Sequence, residues 1–172
     1  MPMHVVCVAA ARPNFMKIKP VIDALDDAGA TTSLVHTGQH YDPAMSDVFF
    51  EELGIREPEH HLGAGSGSHA EHTSRVMIAF EKLLTEIDAD AVVVAGDVNS
   101  TLACALVGAK AGVLVGHVES GLRSRDWAMP EEVNRVVADR VSDLLFAPSP
   151  DAVENLVSEA IATTKSTSSA TS

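Results

Sequence analysis

Hydrophobic residues in this chain fall into short continuous runs separated by longer stretches with helical spacing. The β-branched run His4–Ala9 precedes Arg12-Pro13 and a stretch with Ile18, Val21, Ile22 and Leu25 on one face, which predicts a strand and then a helix ending near Gly29. A second strand is predicted over Thr32–Thr37. After Gly38-Gln39-His40 comes a helix carrying Met45, Val48, Phe49 and Leu53, stopped by Gly54. The spacing then predicts a helix over His72–Ile87, a strand over Ala91–Ala95, a helix over Thr101–Ala111 and a strand over Val113–Val118. Pro130–Val141 reads as a helix with Pro in its first turn and Glu131-Glu132 beside it, where the helix dipole favours negative charge. A last strand, Leu144–Ala147, and a last helix, Pro150–Ile161, complete the pattern.

Strands that are apolar along their whole length are covered on both faces, and their alternation with helices implies a parallel sheet. The expected fold is therefore α/β, a three-layer Rossmann-like domain over residues 1–161. The tail TTKSTSSATS lacks any apolar face, and residues 162–172 are expected to be a disordered polar segment. In such sheets ligands bind outside the carboxyl ends of the strands. Arg12 follows the first strand, Gln39 and His40 the second, Asp97 the AVVVA strand and Glu119 the strand after that. Any one of these reads equally as a cap or turn residue. Their coincidence at one sheet edge points to a site.

Composition narrows the classes. A chain of 172 residues suits one domain with a sizeable core, and aromatics at 4% mean that Val, Leu, Ile and Ala must build it. No apolar run reaches the roughly 20 residues of a membrane span. The N-terminus lacks a basic region and enters a strand at once, so a cytoplasmic location without a signal peptide is expected. The net charge of −12 argues against nucleic acid or an anionic membrane as partner, and would make an anionic substrate depend on a local positive pocket. Cys7 and Cys104 sit in apolar runs and read as buried small hydrophobes. No Cys/His spacing suggests zinc, and His69 and His72, three apart, read as a solvated helix face rather than a metal pair. Gly63–Ser68 (GAGSGS) lacks a clear preceding strand, so it reads as a flexible loop near the cleft rather than a phosphate cradle.

The candidate chemistry divides by charge. Asp97, Glu119 and Glu131 are carboxylates beside turns or helix starts, suited to moving protons on and off a substrate. Arg12 and Lys17 flank a strand-to-helix turn whose N–H groups and dipole also favour an anion. A capping Arg and a surface Lys would give the same pattern.

The segments ARPNFMKIKP (Ala11–Pro20), HTGQHYD (His36–Asp42), GDVNSTLA (Gly96–Ala103), HVESGLRS (His117–Ser124) and MPEEVNR (Met129–Arg135), in that order, resemble the non-hydrolysing UDP-N-acetylglucosamine 2-epimerase family. The likeness runs through SDLLFAPS and AVENL and covers roughly residues 4–161. The resemblance implies inversion at C2 of UDP-GlcNAc, giving UDP-ManNAc, by elimination of UDP to a 2-acetamidoglucal and its re-addition, with neither redox cofactor nor metal. It matches Asp97, Glu119 and Glu131 to catalytic carboxylates, and leaves open which takes the proton. Clustered carboxylates raise one another's pKa, which lets one serve as acid and another as base. It matches Arg12 and Lys17 to the nucleotide and intermediate site and places Gln39 and His40 on a turn facing the cleft. Arg123 and Arg135 either bind substrate or pair with the acidic residues as scaffold. Departures are small: the family's G-T-R-P-E opening is Ala10-Ala11-Arg12-Pro13-Asn14, and Ser120 stands where Ala is usual.

The family folds as two Rossmann-like domains of GT-B type with the substrate between them, roughly double this length. The expectation is therefore an N-terminal domain without its C-terminal partner, a truncated or split half inactive alone, with a UDP-sugar as substrate and, as protein partner, a second copy in a homodimer or a complementing C-terminal half. Two alternatives stand beside it: epimerisation of a related UDP-sugar such as a diacetamido uronic acid, or a non-catalytic assembly module.

Overall fold

A computed structural model of the chain describes residues 1–38, 43–161 and 166–168, with only the backbone described for 43–47 and 166–168. In chain order the elements are β1 (His4–Ala9), α1 (Arg12–Asp27), β2 (Thr31–His36), α2 (Pro43–Leu53), β3 (His60–His61), α3 (His69–Glu86) and β4 (Ala91–Ala95). They continue with α4 (Asn99–Lys110), β5 (Leu114–Val118), α5 (Pro130–Val141), β6 (Leu144–Ala147), α6 (Pro150–Ser158) and β7 (Ser166–Ser168). The strands form one parallel sheet in the order β3-β2-β1-β4-β5-β6-β7. The order turns back between β1 and β4, which is where a doubly wound sheet opens its binding crevice.

Strand alternation sorts the apolar side chains into two layers. Val6, Val8, Val92, Val94 and Val115 pack with Val76 and Phe80 of α3 and with Ala103, Cys104 and Val107 of α4. On the other face, Val5, Cys7, Leu34, Val93 and Ala95 pack with Phe15, Ile18 and Ile22 of α1 and Phe50 of α2. A smaller cluster of Leu145, Ala147, Ala152 and Leu156 seats α6 on β6. Each large side chain buried in these layers contributes about 1.5–3 kcal/mol. Burial pushes the Cys7 thiol up to about 12 and the Cys104 thiol higher, so both behave as small hydrophobes.

Several boundaries differ from the sequence expectations. Helix α3 starts at His69 rather than His72, because Ser68 caps it: the Ser68 hydroxyl accepts the Glu71 N–H at 3.2 Å and the Glu71 carboxylate accepts the Ser68 N–H at 2.9 Å. The reading of His72 is corrected as well. It is 2% exposed, on the stripe that continues through Val76 and Phe80, and does not lie on a solvated face. The two-residue strand β3 was not foreseen. The expected polar tail contributes β7, in which Ser166–Ser168 pair with Leu145–Ala147, while residues 162–165 and 169–172 lie outside the described residues. Among the described residues no helix is long and apolar enough to cross a membrane, and no group of His, Cys, Asp and Glu could hold a metal ion.

Candidate functional site

Three turns at the carboxyl edge of β1, β4 and β5 build the site, and their backbones are locked together before any side chain acts. The Gly96 N–H donates to the Val118 carbonyl at 3.1 Å, so the residues before Asp97 and Glu119 are hydrogen-bonded neighbours. Gly96 has φ +75°, and a Cβ there would lie 3.2 Å from Asn14 Nδ2 and 3.5 Å from Lys17 Nζ. Glycine is what lets α1 come so close. Asn14 then fixes the β1–α1 turn. Its Oδ1 accepts the Ala11 N–H and its Nδ2 donates to the Ala95 carbonyl, both at 3.1 Å. Thr101 Oγ1 donates to the same carbonyl at 2.8 Å, so α1, β4 and α4 meet at one oxygen.

The acidic groups differ in how they are held. Glu119 has φ +65°, a left-handed conformation unfavourable for a residue with a side chain, which marks the turn as held by its surroundings. Its carboxylate lies 2.7 Å from Lys17 Nζ, in a pair whose side chains are 28% and 33% exposed. Asp97 is paired with Arg135, and its carbonyl accepts Asn134 Nδ2 at 2.9 Å. Arg135 also reaches Glu132 at 2.9 Å. Glu131, in the first turn of α5, is half-buried, and its carboxylate makes no hydrogen bond or ion pair among the described residues.

Of the adjacent pair, Glu132 is the structural carboxylate. It is 1% exposed and accepts the N–H groups of Ser124 and Arg125 at 3.0 and 2.9 Å and the Ser124 hydroxyl at 3.1 Å. Burial pushes its carboxyl up, but those hydrogen bonds and Arg135 outweigh it and hold it below the usual range. Glu132 thus pins the loop between β5 and α5 and leaves Glu131 available. The apolar residues of that loop are exposed, Trp127 most of all at 64%.

The basic residues do not share one environment. Arg12 is exposed, with its guanidinium 4.7 Å from the centre of the Phe49 ring, a cation–π contact that aims it from α1 toward α2. Arg123 is taken up inside the protein. Its side chain is 3% exposed and bonds Asp139 at 2.7 Å and Glu159 at 2.8 and 2.7 Å. Burial alone would lower its pKa, but the bonds to Glu159 and Asp139 raise it, so the guanidinium stays charged. Of the two roles left open for Arg123, the geometry supplies the scaffold one. Gln39 and His40 lie outside the described residues.

Two central amides of the GAGSGS segment are used internally. Ala64 and Gly65 donate to the carbonyls of Thr37 and Gly38 at 2.9 and 3.0 Å, and Gly38 packs where a Cβ would come within 3.0 Å of Gly63. These N–H groups extend the β2–β3 edge and are not presented to a phosphate. Beyond the expected residues, the sequence reading missed Asn14, His117, Glu132, Asn134 and Asp139. Each is a buried polar residue, and all but Glu132, whose partners lie within eight residues, take their roles from partners distant in the chain.

The family model for UDP-N-acetylglucosamine 2-epimerase matches residues 23–166. The chain belongs to this family. It is 45% identical over 159 residues to the UDP-N-acetylglucosamine 2-epimerase of Methanocaldococcus jannaschii, covering 92% of this chain and 43% of that protein. It is 42% identical over 158 residues to the UDP-2,3-diacetamido-2,3-dideoxy-D-glucuronate 2-epimerase of Pseudomonas aeruginosa, covering 91% of this chain and 45% of that one. Among solved structures, the M. jannaschii UDP-GlcNAc 2-epimerase in complex with UDP-GlcNAc and UDP superposes with a TM-score of 0.92 at 43% identity, over 96% of this chain and 46% of that one. The chain therefore spans less than half the length of the epimerases it matches.

Proposed function

We propose that this chain supplies the carboxylate-bearing half of a UDP-GlcNAc 2-epimerase acting in the cytoplasm. The observation that carries the proposal is that, in a member of the epimerase family, Asp97 and Glu119 sit on hydrogen-bonded neighbouring turns at the carboxyl edge of the sheet, with Lys17 of α1 paired to Glu119. The reaction asks for groups of this kind. A base removes the C2 proton while the C1–oxygen bond breaks and UDP leaves, giving the 2-acetamidoglucal. UDP then returns to C1 and a proton is delivered to the opposite face of C2. Asp97, Glu119 and Glu131 are the proton-transfer candidates. In the resting site Asp97 is paired with Arg135 and Glu119 with Lys17. Lys17 and Arg12 supply the positive charge that a diphosphate needs in a chain of net charge −12. Arg135, bound between two carboxylates, acts by orienting Asp97 rather than as a free anion site.

Turnover also requires water to be kept from the glycal, which one wall of a cleft does not do. The proposal therefore includes a C-terminal half, completing the cleft as a second domain or a separate subunit, and a homodimer as the working assembly. The test is a coupled assay for UDP-ManNAc formed from UDP-GlcNAc, run on the chain alone and with a C-terminal half from an epimerase of this family. Formation of UDP-ManNAc with the added half supports the reading, and its absence in both arms sinks it. The 42% identity to the diacetamido-glucuronate epimerase makes the corresponding uronic acid the second substrate to assay. Turnover of that sugar alone would reassign the substrate and keep the mechanism.

A further inference from the structure

The turns that carry Asp97 and Glu119 share a buried brace. His117 on β5 and Asp139 on α5 have no solvent exposure. His117 Nε2 lies 2.7 Å from the Gly96 carbonyl oxygen, and its Nδ1 lies 2.6 Å from Asp139 Oδ1. A carbonyl oxygen has no proton to give, so Nε2 carries a hydrogen. The other Asp139 oxygen accepts the Gly121 N–H at 2.9 Å and an Arg123 N–H at 2.7 Å. Two donors on that oxygen favour an ionised carboxylate, so Nδ1 carries a hydrogen as well. The ring is then an imidazolium. Its charge is matched by Asp139, and that of Arg123 by the partly exposed Glu159, so the chain closes with two cations and two anions.

The brace acts around one strained residue. Glu119 has φ +65°, a left-handed backbone that a side chain disfavours, while Gly96 and Gly121 adopt φ of +75° and +80° as glycine readily does. His117 grips the first turn at Gly96, and Asp139 grips the second at Gly121. We propose that His117, held as a doubly protonated ring and acting through Asp139, is the positioning residue that sets Asp97 against Glu119. This rests on the epimerase reading above. A displacement of about 1 Å at a proton-transfer group costs on the order of 100-fold in rate, so such a brace governs turnover without touching substrate.

The first measurement is the ¹⁵N shift of the His117 ring in this chain at about pH 7. Two protonated nitrogens are expected, and a bare nitrogen overturns the proposal whether or not the protein turns anything over. The second uses two near-isosteric variants. His117→Asn keeps a donor toward Asp139 and drops the one to Gly96, while His117→Gln keeps the donor to Gly96 and drops the other. Backbone amide signals are expected to move at Gly96–Asp97 in the first and at Glu119–Gly121 in the second. Unmoved signals at both turns overturn the brace. In the form that turns over, kcat is expected to fall about tenfold or more in each variant with KM within about twofold. An unchanged kcat, or a loss confined to KM, overturns the positioning role. Absence of turnover in the parent protein defeats the proposed function instead, leaving the ring and amide measurements to decide the brace.

Discussion

Lys17 Nζ lies 2.7 Å from the Glu119 carboxylate, joining the second turn of α1 to the turn after β5. About a third of each side chain is open to solvent, so a substrate can reach the pair and exchange partners with it. An ion pair this exposed contributes under about 1 kcal/mol to stability. Lys17→Met should therefore leave the urea unfolding midpoint nearly unchanged while lowering kcat/KM about 100-fold in the complemented enzyme. A large loss of stability would reassign Lys17 to the scaffold.

Asp97→Asn and Glu119→Gln should each abolish exchange of the substrate C2 hydrogen with solvent, with kcat down about 10²–10⁴-fold. Mass spectrometry of the sugar recovered from heavy water reads this directly. Exchange retained in both variants contradicts their role in proton transfer.

The neighbours Glu131 and Glu132 should separate cleanly. Glu132→Gln puts an amide NH₂ where a buried carboxylate collects donors, and should cost about 1–3 kcal/mol in chemical unfolding. Glu131→Gln should change stability by less than about 0.5 kcal/mol and act on turnover instead. The reverse outcome would exchange the roles given to them here.

Gly121→Ala tests the second turn. A Cβ there would sit 2.9 Å from the Ala152 carbonyl carbon and closer still to its oxygen, in a backbone of φ +80°. A destabilisation of about 2–4 kcal/mol is expected by thermal and urea melts. Tolerance of the methyl would mean that α6 moves freely on β6.

Acid should weaken the fold through His36. Burial, aided by the nearby charge of His61, lowers its pKa from 6.5 to about 4. The unfolded chain then binds the extra proton between those values, so stability from this group is complete above about 6.5 and drains as pH falls toward about 4. The full effect is at most about 3 kcal/mol, from the size of that shift. Unfolding midpoints of the parent and His36→Asn should converge in that window, and parallel pH profiles would remove His36 as the cause.

The strand-and-helix succession was legible because strands such as β1 and β4 are nearly continuous apolar runs and helices such as α1 and α3 keep one apolar stripe. Asp97 and Glu119 were legible because they directly follow such strands. What sequence could not show was depth. Glu131 and Glu132 are adjacent and chemically alike, and only the rotation of α5 buries one. Arg123 read equally as a ligand group or a scaffold, until the distant Glu159 and Asp139 enclosed it. His72 looked solvated because its helix was begun one turn late, beyond the cap at Ser68. The tail showed no apolar face, yet a strand at the sheet's edge needs only backbone partners, and β6 offers them to Ser166–Ser168.

The chain's single tryptophan is Trp127, in the exposed loop pinned by Glu132 and four residues before Glu131. Its emission is therefore a spectroscopic window on the β5–α5 loop edge, blind to the interior layers, where Phe15, Phe50 and Phe80 do the packing. Titrating UDP against Trp127 fluorescence would read docking at that edge, while loss of the sheet itself must be followed by circular dichroism. The two signals should part company if the loop releases before the core melts.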